Sequence, residues 1–198
     1  NPSKKSLQLP QLITLKSTSD TALSDVISKN TAYNNKVNER VSAFDGLKSL
    51  STRLVNALQT TDATHETIED AKGFNRKMQG KKASTSQVPT DTNTPAPNTI
   101  STSQQSYDQL IQHLVGLVSV LEAEPSYTPN ETDLQVATLQ NKISDLTSKN
   151  TAVATAYTNI SNSRIARNKT LYTDSTSLVE TANEVKKYIK SVFGATSP

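Results

Sequence analysis

Ser24-Asp25-Val26-Ile27-Ser28-Lys29-Asn30-Thr31-Ala32 returns later in the same chain as Ser144-Asp145-Leu146-Thr147-Ser148-Lys149-Asn150-Thr151-Ala152, with seven of nine positions identical. The apolar position keeps its character, Val26 against Leu146. Downstream, Ser51-Thr52-Arg53-Leu54-Val55 resembles Ser175-Thr176-Ser177-Leu178-Val179. The offset grows from about 120 to about 124 residues, about one helical turn. Self-similarity of this kind predicts two related long helices.

The residues around each copy repeat at alternating steps of three and four. From Leu12 the stripe runs through Ser19, Leu23, Val26, Asn30, Tyr33, Val37, Val41 and Phe44 to Leu58. The second runs from Val136 through Leu139, Ile143, Leu146, Asn150, Val153, Tyr157 and Ile160, then Leu178, Ala182, Val185, Ile189 and Val192. The first long helix is therefore expected over 12–58, with a break or kink at Asp45-Gly46. The second is expected over 132–192, started by Asn130 as N-cap, with an interruption near Arg167-Asn168 and Gly194 as its terminator.

Two shorter helices are expected between them. One opens at Asp62 and ends near Gln79, with Gly80 as terminator and a basic last turn. The other spans 103–123 and stops before Pro125 and Pro129. Residues 81–102, with Pro89, Pro95 and Pro97 among small polar residues, read as a linker. The expected architecture is all-α: a single elongated helical bundle over 1–198, made of helical halves at 10–80 and 103–194 joined by that linker.

Composition agrees with thin seams. Only 33% of the 198 residues are hydrophobic and 5% aromatic, too few for a thick core. Ser, Thr and Asn make up about a third of the chain, so helicity must come from packing of apolar stripes more than from propensity. The net charge of +3 is a mild excess without a concentrated basic face, which speaks against nucleic acid as partner. Cysteine is absent, which excludes disulfides and thiolate metal sites. No apolar run reaches the length of a membrane span and no secretion signal is visible. The sequence starts at Asn1 and not Met, which fits a removed leader or a piece of a longer protein; the compartment is left open.

Candidate chemistry is sparse. Asn30 and Asn150 fall at equivalent stripe positions, where a polar residue can fix register; facing each other, they would pair through their amides, and the alternative is that both face outward from a stripe shifted by one position. Leu110, Leu114, Leu117 and Leu121 belong to the most apolar stretch, expected to be the central core helix. The alternative is a concealed membrane or partner segment that inserts after rearrangement, as in helical pore-forming toxins; twelve residues are too short to span a bilayer alone. Gly116 within it suits close helix contact. His65-Glu66-Thr67-Ile68-Glu69 misses the two-histidine zinc pattern because Glu69 replaces the second histidine. His113 is expected at the edge of the core with its tip in water. The basic clusters Lys72–Lys82, Arg164–Lys169 and Lys186–Lys190 read as helix-end charge. No phosphate-cradling glycine loop and no nucleophile elbow occurs. No catalytic, cofactor or metal residue is assigned.

The C-terminal stretch, in particular Glu124-Pro125-Ser126-Tyr127, Leu134-Gln135-Val136-Ala137-Thr138-Leu139, Arg164-Ile165-Ala166-Arg167-Asn168 and Val185-Lys186-Lys187-Tyr188-Ile189-Lys190-Ser191-Val192-Phe193-Gly194, resembles a group of uncharacterised helical proteins from Bacteroidetes-type bacteria. The resemblance covers roughly the last 90 residues. It implies a helical fold and a bacterial source, and no activity. The expected function is a non-enzymatic structural or protein–protein interaction module, with a protein partner or self-association and no small-molecule substrate. A membrane-active protein is the alternative, and a nucleic-acid-associated one the second alternative.

Overall fold

A computed structural model of the chain describes residues 2–80 and 105–194. It is an all-α bundle: two long helical runs of 50 and 58 residues, each interrupted, and two shorter helices. The linker expected at 81–102 lies outside the described residues.

The first run comprises α1 (Leu9–Phe44) and α2 (Leu47–Leu58). Asp45-Gly46 breaks it as expected. Gly46 takes φ 72°, a left-handed conformation that suits glycine, and its N–H donates to the Asp45 carboxylate at 2.9 Å. After the turn to α3 (His65–Gln79), Thr64 and not Asp62 caps the helix, its hydroxyl accepting the Thr67 N–H. A hydroxyl in extended backbone just before the first turn is placed for that bond, whereas Asp62 sits earlier, exposed in the turn. Gly80, at φ 76°, ends α3. Ser106 caps α4 (Tyr107–Ala123), a few residues inside the expected start.

The second run begins later than Asn130. A 3-10 turn at Thr132–Leu134 buries Leu134 before α5 (Val136–Asn168) starts. The interruption expected near Arg167-Asn168 is present directly after it, where the helix widens into a π turn at Lys169–Thr173 that buries Leu171. Ser177 then caps α6 (Leu178–Phe193).

The chain forms two compact units, residues 39–151 and residues 1–38 with 152–198; α1 and α5 each give a segment to both. In the unit 39–151, α4 packs on α3 and α2, and α3 packs on α2. Leu114, Leu117 and Leu121 of α4 are buried against Leu54 and Leu58 of α2, Ala71 and Met78 of α3, and Leu139 and Leu146 of α5. Each fully buried leucine is worth about 2 kcal/mol in transfer free energy. Gly116 lets the Phe74 ring lie against the α4 backbone, and a Cβ there would stand 2.3 Å from Phe74 Cε1. His113 is buried, not tip-out as the sequence suggested, because it shares the inward face with Leu117. Tyr127 is buried and its hydroxyl donates to the Leu134 carbonyl at 2.9 Å, holding the turn that leads into α5; burial pushes that phenol up to about 12, so it remains a neutral donor.

Within this unit α1 and α5 run antiparallel. Glu39 faces Lys149, and the Ala43 carbonyl accepts from Lys142. The other unit repeats that sense, with Asp25 accepting from the Ser163 hydroxyl at 2.6 Å and Tyr33 against Tyr157 at 6.0 Å. Its interior is lean. Among the described residues Leu7, Val153, Ile160 and Leu171 are its buried apolar side chains, beside Ser19, Ser163, Ser177 and Thr181. Along α5 the buried line is Leu139, Leu146, Val153 and Ile160, one every seven residues. The α1 stripe is shallower: Val26 and Tyr33 are half-buried, while Leu23, Val41 and, on α5, Tyr157 are exposed because they flank the seam.

Two substitutions test this packing. Leu146→Asp places an unpaired carboxylate in a fully buried position and is expected to cost on the order of 4 kcal/mol in urea unfolding; a neutral result would mean the seam is elsewhere. Gly116→Ala would ordinarily stabilise a helix interior by about 1 kcal/mol. Here the methyl collides with Phe74, so the expected outcome is a net loss of about 1–3 kcal/mol by the same measurement.

Candidate interaction surface

α6 is amphipathic because Leu178, Ala182, Val185, Ile189 and Val192 recur at helical spacing, with Val179 and Phe193 widening the stripe. The inner edge of that stripe meets its own unit. Thr181 is buried, Val185 and Tyr188 are half-buried, and α6 packs on the π turn and on the 3-10 turn at Lys5–Leu7. Lys4 Nζ donates to both oxygens of Glu184, at 2.5 and 2.6 Å, and fixes that contact. The outer edge is open to solvent: Leu178 is 37% exposed, Ile189 39%, Val192 53% and Phe193 72%. The same unit exposes Leu9, Ile13, Leu23 and Ile27 on α1. Lys186 and Lys190, both exposed, border the open side of α6 one turn apart.

An apolar surface of this kind supports association through burial, not bond chemistry. Leu178, Ile189 and Val192 lie on the stripe expected from the sequence, which does not include Val179 and Phe193.

The residues singled out from sequence go elsewhere. Leu114, Leu117 and Leu121 are core, and Leu110 is half-buried beside them. Asn150 does not spend its amide on Asn30. Its Oδ1 accepts from Arg40 Nη1 at 3.0 Å and its Nδ2 donates to Asp108 Oδ1 at 2.6 Å. Antiparallel pairing sets Asn150 opposite Arg40, whose guanidinium also lies 4.0 Å from the centre of the Tyr107 ring. Asn150 thus ties α1, α4 and α5 within one unit, while half-buried Asn30 belongs to the other. In the histidine motif, Glu69 accepts from Lys72 at 2.9 Å, and that bond holds its carboxyl below the usual range. Likewise the bond from Arg53 lowers Asp133. Among the described residues no three His, Cys, Asp or Glu side chains come together as a metal would need, and no helix is long and apolar enough to cross a membrane. A cleft of about 390 Å³ at the turn after α2 is lined by Thr60, Asp62, Tyr127 and Glu131; it is polar and open, and its Tyr127 hydroxyl is already committed to Leu134.

Comparison with protein-family models, curated proteins and solved structures found no match to this chain.

Because Val192 and Phe193 touch little within the chain, Val192→Gln and Phe193→Gln are expected to shift unfolding of the highly diluted protein by less than about 0.5 kcal/mol each. A loss of about 2 kcal/mol would show that these side chains already have an internal partner.

Proposed function

We propose that this chain is a non-enzymatic helical interaction module, of bacterial source as the resemblance of its C-terminal half implies. Residues 39–151 supply a self-sufficient core, and residues 1–38 with 152–198 supply a docking platform for a protein partner. The carrying observation is the distribution of exposed apolar side chains. Among the described residues Val41 and Val115 are the large ones exposed in the first unit, and all others, from Leu9 to Phe193, belong to the second. Completing the burial of each half-exposed Leu, Ile or Val on α6 would add about 1 kcal/mol to association.

The duplication supports the same reading. On this view each unit follows one coiled-coil plan. A 3-10 turn with a buried leucine precedes the long helix, at Leu7 and at Leu134. The matching sequence Leu7-Gln8-Leu9 and Leu134-Gln135-Val136 accompanies it. A buried leucine marks the break in the opposing run, within it at Leu171 and just after it at Leu47. An ion pair then joins the entry turn to the next helix, Lys4 with Glu184 and Arg53 with Asp133. The membrane-active reading asks Leu114, Leu117 and Leu121 to leave a packed core, and the interaction reading asks for no rearrangement. For nucleic acid, the Tyr107 ring is already engaged by Phe44 and by the Arg40 guanidinium.

A photo-crosslinking amino acid placed at Val192 in the producing cell tests the proposal, with Val41 as the exposed control. Protein adducts concentrated at Val192 are expected. Lipid adducts alone, or equal capture at both sites, would contradict it.

A further inference from the structure

We infer that the open face of α6 takes an antiparallel pair of amphipathic helices with acidic flanks, in the place that α3 and α4 hold on α2. The inference rests on the docking reading above and names the class of partner. Its ground is a comparison inside the molecule. By the sequence match, Leu54 and Val55 of α2 correspond to Leu178 and Val179 of α6, and the same offset sets Leu58 against Ala182. On α2, which α3 and α4 cover, the three are 0%, 3% and 0% exposed. On α6, Leu178 is 37% and Val179 41% exposed, and Ala182 is exposed as well. The residues that α3 and α4 cover in one unit are thus the ones left bare in the other. Ile189 and Phe193 continue the bare face by two further turns.

Charge narrows the partner. Lys186 lies between Ala182 and Ile189 on this face, and Lys190 follows it by four residues. The carboxylate of Glu184 is turned to Lys4, and Glu180 sits in the first turn near the Ser177 cap. The open border is therefore cationic. Facing helices with Glu or Asp along that border gain favourable pairs, and facing lysines are repelled. A second α6 would bring Lys186 and Lys190 against the same cations, which disfavours a second copy of this chain as occupant.

The chain has no tryptophan, so Phe193→Trp gives a clean reporter on the bare face, with circular dichroism to verify the fold. The probes are a synthetic two-helix hairpin with a leucine seam and glutamate flanks, the same hairpin with lysine flanks, and phosphatidylglycerol vesicles. Sedimentation equilibrium of the chain alone accompanies them. The expected result is a saturable blue shift with the glutamate hairpin and binding at least about tenfold weaker with the lysine hairpin. The double substitution Lys186→Glu with Lys190→Glu should reverse that preference. Indifference to hairpin charge, a shift with vesicles alone, or burial of the reporter by self-association would each overturn the inference. Protein adducts at Val192 combined with any of these would remove the partner class and leave the docking platform standing; no protein adducts would remove both.

Discussion

The burial of α4 against α2, α3 and α5 is the interaction on which the rest of this fold depends. A chain with 33% hydrophobic residues cannot build a thick core everywhere. Here Leu114, Leu117 and Leu121 gather Leu54 and Leu58 of α2, Ala71 and Met78 of α3, and Leu139 and Leu146 of α5 into one place. Gly116 removes the side chain that would hold Phe74 off, so α3 and α4 approach closely. Among the described residues the other unit has four buried apolar side chains and an interior partly made of serine and threonine hydroxyls. Its outward apolar side chains follow from that division. They are what is left where, among the described residues, no equivalent of α3 and α4 covers α6.

Polar contacts hold the long helices in register without carrying much energy. Exposed and half-exposed ion pairs such as Glu39–Lys149 contribute little individually. Their value lies in specificity: an antiparallel pair built from hydroxyls and half-buried stripes would slide readily without them. Asn150 does this most fully, because its amide joins the Arg40 guanidinium and the Asp108 carboxylate from two different helices. The buried seven-residue line on α5 supplies the attraction, and the polar pairs select which turn faces which.

Much of the architecture was legible in the residues. The three-four spacing located both long runs, Asp45-Gly46 marked a true break, and Gly80 and Gly194 ended helices with positive φ. Gly116 was legible as a point of close contact, although its partner Phe74 was not. Helix starts were less legible, since this chain offers a hydroxyl, Asn or Asp at nearly every turn. Thr64 and the Thr132–Leu134 turn displaced Asp62 and Asn130 for reasons of local backbone geometry. The roles of Asn30 and Asn150 were not legible, because they depend on helix direction. An antiparallel pair sets Asn150 against Arg40, and no stripe reveals direction. The bare face of α6 was hidden for a related reason: periodicity marks which residues are apolar, not how many neighbours arrive to cover them.

Native-state hydrogen exchange on the isolated chain measures the asymmetry most directly, because it reads the opening free energy of each helix separately. The account predicts that amides around Leu114, Leu117 and Leu121 exchange only through global unfolding, while those of α6 from Val185 to Phe193 exchange through cheap local opening. Protection of α6 equal to that of α4 in the monomer would contradict it.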